Sequence, residues 1–476
     1  MRDEDFKMHV GNALPVWPTG RWLSEKYLPY MREKLTSEMR EKVQGRMVGI
    51  AIDEGRDRNG NPVLGIVTST WKESWVSMVK VLDDETSVNG KMISESIHDH
   101  CVDMRVPKEN LRFVTADNAS YMSKGVRLLQ EEGYSKVERV SCLSHGLNLV
   151  MQSFCENCTE AHAVIKKIRK YIRRGRLTAR KGRLKCALGK ESLHVMNYCK
   201  SRWNSYMKAA LFLQEKYQDF THFFEREKLL KQSRGSLEIH AALMDRKTSI
   251  LLCIVCKIMP AWMDLVISSE GFDTFSVSDL SMIKEAEEEM KRLSAFQHSI
   301  CVVRAFCGDA DEKMVEDIQN TIAHAAAKSS RKFGKYISKT LEYVTQRLIF
   351  SPQFAQKMVL PDEVPGVPPE EAVLGRVAIA WNFYKNGCEK EQWAEEVPSS
   401  FWGNVIQEDS PLSILRPLFD AVVERSLCCS ASEASVERFF STMGDVINKK
   451  KNRLLRERES IELLIVSKKR KTSTHQ

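Results

Sequence analysis

The hydrophobic period of this chain changes once along its length, and that change constrains the fold more than any other feature. Short apolar runs occupy 47–53, 62–70, 76–82, 111–116 and 137–142, whereas apolar residues from 160 to about 350 recur every three to four positions. Short runs of this kind favour β-strands, and the longer period favours amphipathic helices. The chain is therefore predicted to combine one sheet with a large helical region.

The order of the elements predicts the kind of sheet. Asn59-Gly60-Asn61 lies between the first two runs and is typical of a turn that joins antiparallel strands. Helical stretches at 90–104 and 120–132 precede the fourth and fifth runs. Three strands followed by two helix–strand units indicate an α/β core with a mixed five-stranded sheet and helices on its faces.

The same patterns divide the chain into predicted segments. Two helical stretches, 20–32 and 33–44, precede the first strand, and four prolines in 360–369 predict a linker. The predicted segments are an N-terminal helical segment at 1–45, the first part of the core at 46–160, a helical insertion at 161–400, C-terminal core helices and a dimerisation region at 401–467, and a basic tail at 468–476.

Composition excludes several classes of protein. The chain has 476 residues, 43% of them hydrophobic and 28% charged, which is typical of a globular protein and excludes disorder of the whole chain. No run approaches the roughly 20 apolar residues of a membrane span, so we expect no membrane partner. The 13 cysteines are odd in number and scattered, which predicts free thiols in a reducing compartment.

The net charge of +9 is concentrated in two basic segments. The window 166–185 contains eleven basic residues and no acidic ones, and 449–471 contains ten basic residues against three acidic ones. Dense positive charge is what binding to a phosphate backbone requires, and a solvated helix face is the alternative. The predicted DNA contacts in the window are Lys166, Lys167, Arg169, Arg173, Arg174 and Arg176. The tail 468–471, KKRK, predicts import into the nucleus.

Two carboxylates follow strand-like runs. Asp53 ends the first run, and Asp117 ends the fourth. If the first and fourth strands are neighbours, the two side chains converge and can hold Mg²⁺ or Mn²⁺, because such ions prefer hard oxygen ligands. A third carboxylate from a helix would complete a site for phosphoryl transfer. The alternative is structural, since Asp117-Asn118 also suits an Asx-type turn or a helix N-cap.

Six blocks of sequence, in order, resemble the hAT superfamily of transposases. The C-terminal block, SASEASVERFFSTMGDVINKKKNRL at 430–454, resembles the family's signature, although Val436 stands where many members have Ser. The others are IDEGRDRNGNPVLGIVTSTW, FVTADNASYM, CLSHGLNLVMQSF, SRWNSYMKA and PSSFWGNVI. The resemblance covers roughly 40–470 and extends to the BED-finger group, but 1–45 contains no zinc-finger spacing, so we expect this segment to be the remnant of a link to a missing finger.

The resemblance implies a ribonuclease-H-like core interrupted by a helical insertion. It assigns metal binding and catalysis to Asp53, Asp117 and Glu437, with Asp57 as an alternative first carboxylate. Glu433 lies one helical turn before Glu437, and Ser430-x-x-Glu433 has the form of a capping box, which favours a structural role. The implied activity is DNA strand cleavage, hairpin formation and strand transfer.

The resemblance also assigns roles around the core. His145, Arg202 and Trp203 are predicted to lie near DNA, with Trp203 stacking on a displaced base. Composition alone instead favours a core role for Trp203. Cys142-x2-His145 with Cys155-x2-Cys158 has a superficial zinc spacing, but zinc is not expected, because a helix separates the two pairs. Phe401-Trp402 and Cys253-x2-Cys256 are predicted to be core. The C-terminal stripe is either core or a dimerisation surface and consists of Phe440, Met443, Ile447, Leu454, Ile461 and Leu464.

Two functions remain open from the sequence. One is a transposable-element enzyme, a metal-dependent transposase that uses an Asp-Asp-Glu triad and dimerises through its C-terminal region. The other is a domesticated, non-catalytic regulator in the nucleus that binds DNA and dimerises on the same fold. Both predict DNA and a second copy of the chain as partners.

Overall fold

The computed structural model describes 26–56, 62–82, 88–173, 178–198, 203–231, 234–270, 275–365, 371–390, 392–393, 396–430, 432–436, 438 and 440. The chain forms two compact units. Unit 1 comprises Met1–Val114, Ser120–Arg139 and Ser435–Gln476, and unit 2 comprises Thr115–Ala119 and Val140–Ala434. The boundary passes through the fourth and fifth strands, so their last residues belong to unit 2.

The five predicted strands are confirmed. They are β1 (Val48–Arg56), β2 (Pro62–Ser69), β3 (Ser74–Val81), β4 (Leu111–Ala116) and β5 (Glu138–Ser141). They form one sheet in the order β3-β2-β1-β4-β5. β1 pairs with β2 antiparallel, with Asp53 opposite Gly65, and β2 pairs with β3 antiparallel. As predicted, the first strand is the neighbour of the fourth.

Burial explains why the strands read as apolar runs. Every residue of β2 is buried, so this central strand is covered on both faces. In β1 the first five residues are buried, and the last four alternate between half-buried and exposed. Alternation of this kind marks the end of the strand that reaches solvent on one face. Asp53 is the first residue of the alternating part.

In the described part of unit 1 the α-helices are α1 (Leu28–Val43), α2 (Gly90–Met104) and α3 (Ser120–Glu131). Pro29 lies in the first turn of α1, where its missing N–H is tolerated. The predicted break between 32 and 33 is wrong, because α1 is continuous there and the sequence supplies no helix breaker. The Asn89 side chain caps α2 by accepting from the backbone N–H groups of Lys91 and Met92.

A buried histidine connects α2 to the sheet. Nε2 of His100 lies 3.0 Å from Oγ1 of Thr68 and 3.1 Å from Oγ of Ser77. Burial lowers the pKa of His100 to about 4, and the charge of Asp103 opposes this shift only in part. The ring is therefore neutral at pH 7, as a polar group enclosed by two hydroxyls should be.

Unit 2 is almost wholly helical, as the sequence predicts. The α-helices described between 143 and 405 are α4 (Leu143–Asn157), α5 (Thr159–Arg173), α6 (Thr178–Leu188), α7 (Glu191–Val195), α8 (Trp203–Glu215), α9 (Tyr217–Lys231), α10 (Arg234–Met244), α11 (Arg246–Glu270), α12 (Val277–Ser294), α13 (Phe296–Cys307), α14 (Glu312–Tyr336), α15 (Ser338–Ile349), α16 (Pro352–Ala355), α17 (Glu371–Glu389) and α18 (Pro398–Val405). Short helical turns of several kinds follow between 411 and 428.

One apolar cluster joins most of these helices. It includes buried residues of α4, α5, α11 and α14. α11 is the one helix in the described ranges that is long and apolar enough to cross a membrane, and 56% of its most apolar window is buried within the protein. A mostly buried helix of this kind is compatible with the core of a protein that has no membrane partner.

The cysteines of the described ranges are free thiols, as predicted. Cys256 is buried in the apolar cluster and Cys253 is half-buried, which agrees with the predicted core role of this pair. Trp402 and Phe401 are also buried, and Nε1 of Trp402 donates to the carbonyl of Phe350 at 2.7 Å. Their predicted packing role is confirmed.

Candidate functional site

Asp53 lies in β1 at the edge of the buried part of the strand. It is half-buried, and its Oδ1 accepts from the backbone N–H of Glu54 at 2.8 Å. Because side chains alternate along a strand, Asp53 projects from the same face as Ala51 and Gly55. Gly65 lies opposite Asp53 on the same face of β2.

The residues around Glu437 pack on that face of the sheet. Val436 forms a buried cluster with Ala51 and Val67, and Phe440 packs against this cluster. A Cβ added at Gly65 would lie 2.7 Å from Cγ1 of Val436 and 3.2 Å from Cζ of Phe440. The absence of a side chain at Gly65 therefore permits this close approach.

Gly55 permits a second close approach. A Cβ there would lie 2.9 Å from Cδ2 of Phe440. Asp53 therefore lies near two glycines, Gly55 two residues later on its own strand and Gly65 opposite on β2. Phe440 packs against both glycines. Glu437, the predicted third carboxylate, and Asp57, the alternative first one, lie outside the described residues.

Asp117 directly follows β4 and belongs to unit 2. It is half-buried, and its Oδ1 accepts from the backbone N–H of Ala119 at 3.0 Å. This is the Asx-type turn that the sequence allowed as a structural alternative. The turn is connected to β5, because the Ser141 hydroxyl donates to Oδ1 of Asn118 at 2.9 Å and the N–H of Cys142 donates to the Ala116 carbonyl at 3.0 Å.

The segment before Glu437 is fixed to the end of β4. The Thr115 hydroxyl donates to the Ser430 carbonyl, and Ser432 Oγ accepts from the N–H of Ala434 at 3.1 Å. The expected capping box is replaced by other bonds, since the Ser430 hydroxyl donates to the Ser432 carbonyl at 2.8 Å. Glu433 is 2% exposed. Its burial agrees with the structural role that the sequence favoured for it.

Cys142 and His145 begin α4. Cys142 is the N-cap, and its Sγ accepts from the N–H of His145 at 3.5 Å. Burial, followed by the charge of Glu433, raises the pKa of the Cys142 thiol well above its usual range, so the protonated form persists at pH 7. His145 is half-buried.

The zinc spacing does not produce a cluster. α4 is 15 residues long, about 22 Å at 1.5 Å per residue, and it separates Cys142 and His145 from Cys155 and Cys158. The latter two are buried in the apolar cluster of unit 2. Among the residues that the structure describes, no group of three or more His, Cys, Asp or Glu side chains could hold a metal ion. This finding does not cover the predicted triad, because Glu437 is outside those residues.

The basic window is divided between solvent and the interior. Lys166 and Arg173 are exposed on α5. Nζ of Lys167 lies 3.8 Å from Oε2 of Glu238. Arg169 is buried, its Nε donates to the Tyr198 carbonyl at 2.9 Å, and its guanidinium lies 4.8 Å from the centre of the Tyr198 ring. Arg174 and Arg176 lie outside the described residues.

The far end of the window contains an ion pair between half-buried Arg183 and buried Glu227. Glu227 on α9 is 2% exposed and accepts from Nε of Arg183 at 2.6 Å, Nη2 of Arg183 at 3.0 Å and the Tyr171 hydroxyl at 2.5 Å. The guanidinium of Arg183 and the hydroxyl of Tyr171 therefore hold α5 and α6 to α9. At least Arg169 and Arg183 in this window have structural roles.

The structure describes only part of the other predicted contacts. Trp203 opens α8, but its side chain and all of Arg202 lie outside the described part. Of the proposed dimerisation residues, Phe440 packs on β1 and β2 of its own chain. Met443, Ile447, Leu454, Ile461 and Leu464 lie outside the described part.

One basic surface escaped the sequence reasoning. Between Asp317 and Glu342 the chain has no acidic residue, and it has five basic ones on α14 and α15: Lys328, Arg331, Lys332, Lys335 and Lys339. A scan for acid-free segments, without a threshold for density, would have found it. We call these five residues the α14 basic face.

Comparisons with known proteins add no assignment. A scan against protein-family models gave no match, and a search of curated proteins found no similar sequence.

Proposed function

We propose that the chain is a hAT-type transposase or a protein derived from one, built on a ribonuclease-H-like core. The support is the agreement between six ordered sequence blocks and the strand order β3-β2-β1-β4-β5. Three consecutive antiparallel strands followed by two helix–strand units are the arrangement that such a core requires. A nuclear location and self-association through the C-terminal region belong to the same proposal.

The packing around Asp53 carries the proposal. The residues on both sides of Glu437, Val436 and Phe440, lie on the sheet face from which Asp53 projects. This packing brings the segment that contains the proposed third carboxylate to the strand that contains the first. Asp117 follows β4, the neighbour of β1 in the sheet. A role as turn formers alone would not require the C-terminal segment to pack beside Asp53.

The proposed residues fit a divalent metal ion. Asp53, Asp117 and Glu437 would supply only carboxylate oxygens, the ligands that Mg²⁺ and Mn²⁺ prefer. Such an ion would stabilise the charge that develops on the oxygens of a phosphodiester during in-line displacement. The chain itself would orient both carboxylates described here, through the N–H of Glu54 on Asp53 and the N–H of Ala119 on Asp117.

A plasmid-nicking assay tests the proposal. Purified protein is incubated with supercoiled plasmid and Mn²⁺, alongside Asp53→Asn, Asp117→Asn and the surface control Asp264→Asn, which changes an exposed carboxylate on α11. We expect nicking by wild type and the control, and loss of nicking in both active-site variants without loss of DNA binding.

The enzyme assignment fails if wild type and Asp117→Asn nick the plasmid equally slowly. If both still bind DNA in that case, the non-catalytic regulator on the same fold replaces the enzyme.

A further inference from the structure

The α14 basic face is unusual because it has no acidic counterpart in its own sequence. The segment 318–341 contains five basic and no acidic residues. By contrast, Lys291 and Arg292 on α12 form ion pairs with the neighbouring Glu287, Glu288 and Glu289. Charges that are neutralised locally contribute little to binding a distant anion.

Four of the five residues lie on one side of α14, and the fifth, Lys339, lies in the first turn of α15. Lys328, Arg331, Lys335 and Lys339 are exposed, and Lys332 is half-buried. The buried side of α14 includes Ser329 and Phe333, and the Ser329 hydroxyl donates to the Val150 carbonyl on α4 at 3.3 Å. Positions 328, 332 and 335 are three and four apart, the spacing of neighbours on a helix surface.

Lys328 and Lys335 of this face lie beside neutral groups. Nζ of Lys328 donates to Oδ1 of Asn157 at 2.9 Å, and Nζ of Lys335 lies 4.9 Å from the centre of the Tyr336 ring. Nζ of Lys339 lies 5.9 Å from that of Tyr343. Within the described ranges, no carboxylate lies within 4.0 Å of Arg331, Lys332 or Lys335. The face therefore presents its positive charge to solvent.

The face ends beside the end of β5, which is bonded to the turn of Asp117. A Cβ added at Gly146, in the first turn of α4, would lie 3.0 Å from Cγ1 of Ile337, which connects α14 to α15. The Thr340 hydroxyl donates to the Ser141 carbonyl at 2.9 Å, and the Ser141 hydroxyl donates to Asn118. The chain of contacts thus runs from the basic face to the Asx turn of Asp117, entirely within unit 2.

We infer that the α14 basic face binds the phosphate backbone of duplex DNA and guides it toward Asp117; the direction of guidance rests on the proposed function. Lys328 and Lys335 are seven residues apart, about 10 Å along the helix. Phosphates on one DNA strand rise about 3.4 Å each, so this span matches about three phosphate-to-phosphate steps. Arg and Lys side chains are among the groups that contact phosphate oxygens in protein–DNA complexes.

The test is DNA affinity in the absence of metal. Fluorescence anisotropy with a labelled duplex of arbitrary sequence, measured over a range of salt concentrations, compares wild type with Arg331→Gln/Lys332→Gln/Lys335→Gln. The matched control is Lys284→Gln/Lys291→Gln/Arg292→Gln on α12, which removes the same charge from exposed or ion-paired positions of the same unit.

The expected results are specific. Each lost phosphate contact reduces the slope of log Kd against log salt by about 0.9, so the α14 variant should lose between about 2 and 3 in slope and at least about tenfold in affinity near 0.1 M salt. The control should change affinity by less than about twofold, because two of its three cations, Lys291 and Arg292, are already paired with neighbouring glutamates. Circular dichroism should show that both variants remain helical.

Three outcomes overturn the inference: an unchanged slope in the α14 variant, an equal loss in the control, or no duplex binding by wild type at low salt. The first two leave the proposed function intact, since nicking and the window 166–185 are tested separately. Conversely, a wild type that binds DNA through α14 but never nicks it supports the inference and refutes the enzyme.

Discussion

Gly65→Ala is the sharpest probe of the packing beside Asp53. The new Cβ would lie 2.7 Å from Cγ1 of Val436 and 3.2 Å from Cζ of Phe440, and ordinary carbon contacts begin near 3.4 Å. Gly65 lies in buried β2, which β1 and β3 flank on both sides, so the strand cannot move away from the new Cβ. Val436, which is 1% exposed, and the C-terminal segment that contains it must shift instead and lose apolar contact.

The size of the effect follows from two opposing contributions. Overpacking a buried site costs about 1–3 kcal/mol. Replacing glycine lowers the entropy of the unfolded chain, which stabilises the fold by about 0.4–1 kcal/mol. We therefore expect Gly65→Ala to lower the free energy of unfolding by about 1–2 kcal/mol. Because the displaced segment contains Glu437, nicking should fall as well.

A double-mutant cycle separates this contact from a general loss of stability. Val436→Ala removes the Cγ1 atom that the new Cβ would meet, and by itself it should cost about 1.6 kcal/mol for two buried methyl groups. In the double variant the clash is absent. The loss of unfolding free energy measured for the double variant should therefore be smaller than the sum of the two single-variant losses by about 1 kcal/mol or more.

Urea unfolding followed by tryptophan fluorescence measures all four proteins. The control is Gly375→Ala on α17, where an added Cβ meets nothing within 4 Å. It should be neutral or stabilising by up to about 1 kcal/mol. Strict additivity of Gly65→Ala and Val436→Ala, or a Gly65→Ala variant as stable as the control, would show that Val436 does not pack on Gly65.

Two further predictions concern buried polar groups. Burial lowers the pKa of His100 from 6.5 to about 4. Between these two pH values the unfolded chain binds a proton at His100 and the folded chain does not. The free energy of unfolding should therefore be highest above pH 6.5 and fall by about 2 kcal/mol between pH 7 and 4.5. In His100→Gln this part of the pH dependence of urea unfolding should disappear, and an unchanged pH dependence would contradict the assignment. Glu227→Gln weakens charge-assisted bonds from Arg183 and should cost about 2–3 kcal/mol at pH 7, whereas the exposed Glu312→Gln should leave the urea midpoint unchanged; equal midpoints would mean that Glu227 does not hold the window.

The period of the hydrophobic pattern was sufficient to predict the sheet. Buried β2 reads as an unbroken apolar run because both of its faces are covered, and this made its type and position predictable. The order of the elements allowed β4 to pair beside β1, because β1 is at the edge of the three connected antiparallel strands and is accessible to a fourth strand. The single helix α1 was missed at 32–33, because periodicity alone does not fix where a helix ends when no glycine or proline marks the boundary.

The candidate site was only partly predictable for a different reason. The carboxylate of Asp117 could form a turn, bind a metal ion or do both, and the sequence alone does not distinguish these roles. The structure contains the Asx turn, in which Asp117 accepts from the N–H of Ala119. The roles of Gly55 and Gly65 depend on Phe440, which is nearly 400 residues away in sequence. Contacts of that separation leave no local pattern.

The charge of the chain shows the same limit most clearly. The window 166–185 has eleven basic residues, yet Arg169 is buried and the charge of Arg183 is neutralised by buried Glu227. The α14 basic face has fewer cations, but four of its five are exposed, and within the described ranges no carboxylate lies within 4.0 Å of Arg331, Lys332 or Lys335. Binding to phosphate depends on cations that can release counterions at the surface, not on their density in sequence. Burial therefore reduces the advantage of the denser segment, and this is why the α14 variant, with three charges removed, should weaken DNA binding measurably.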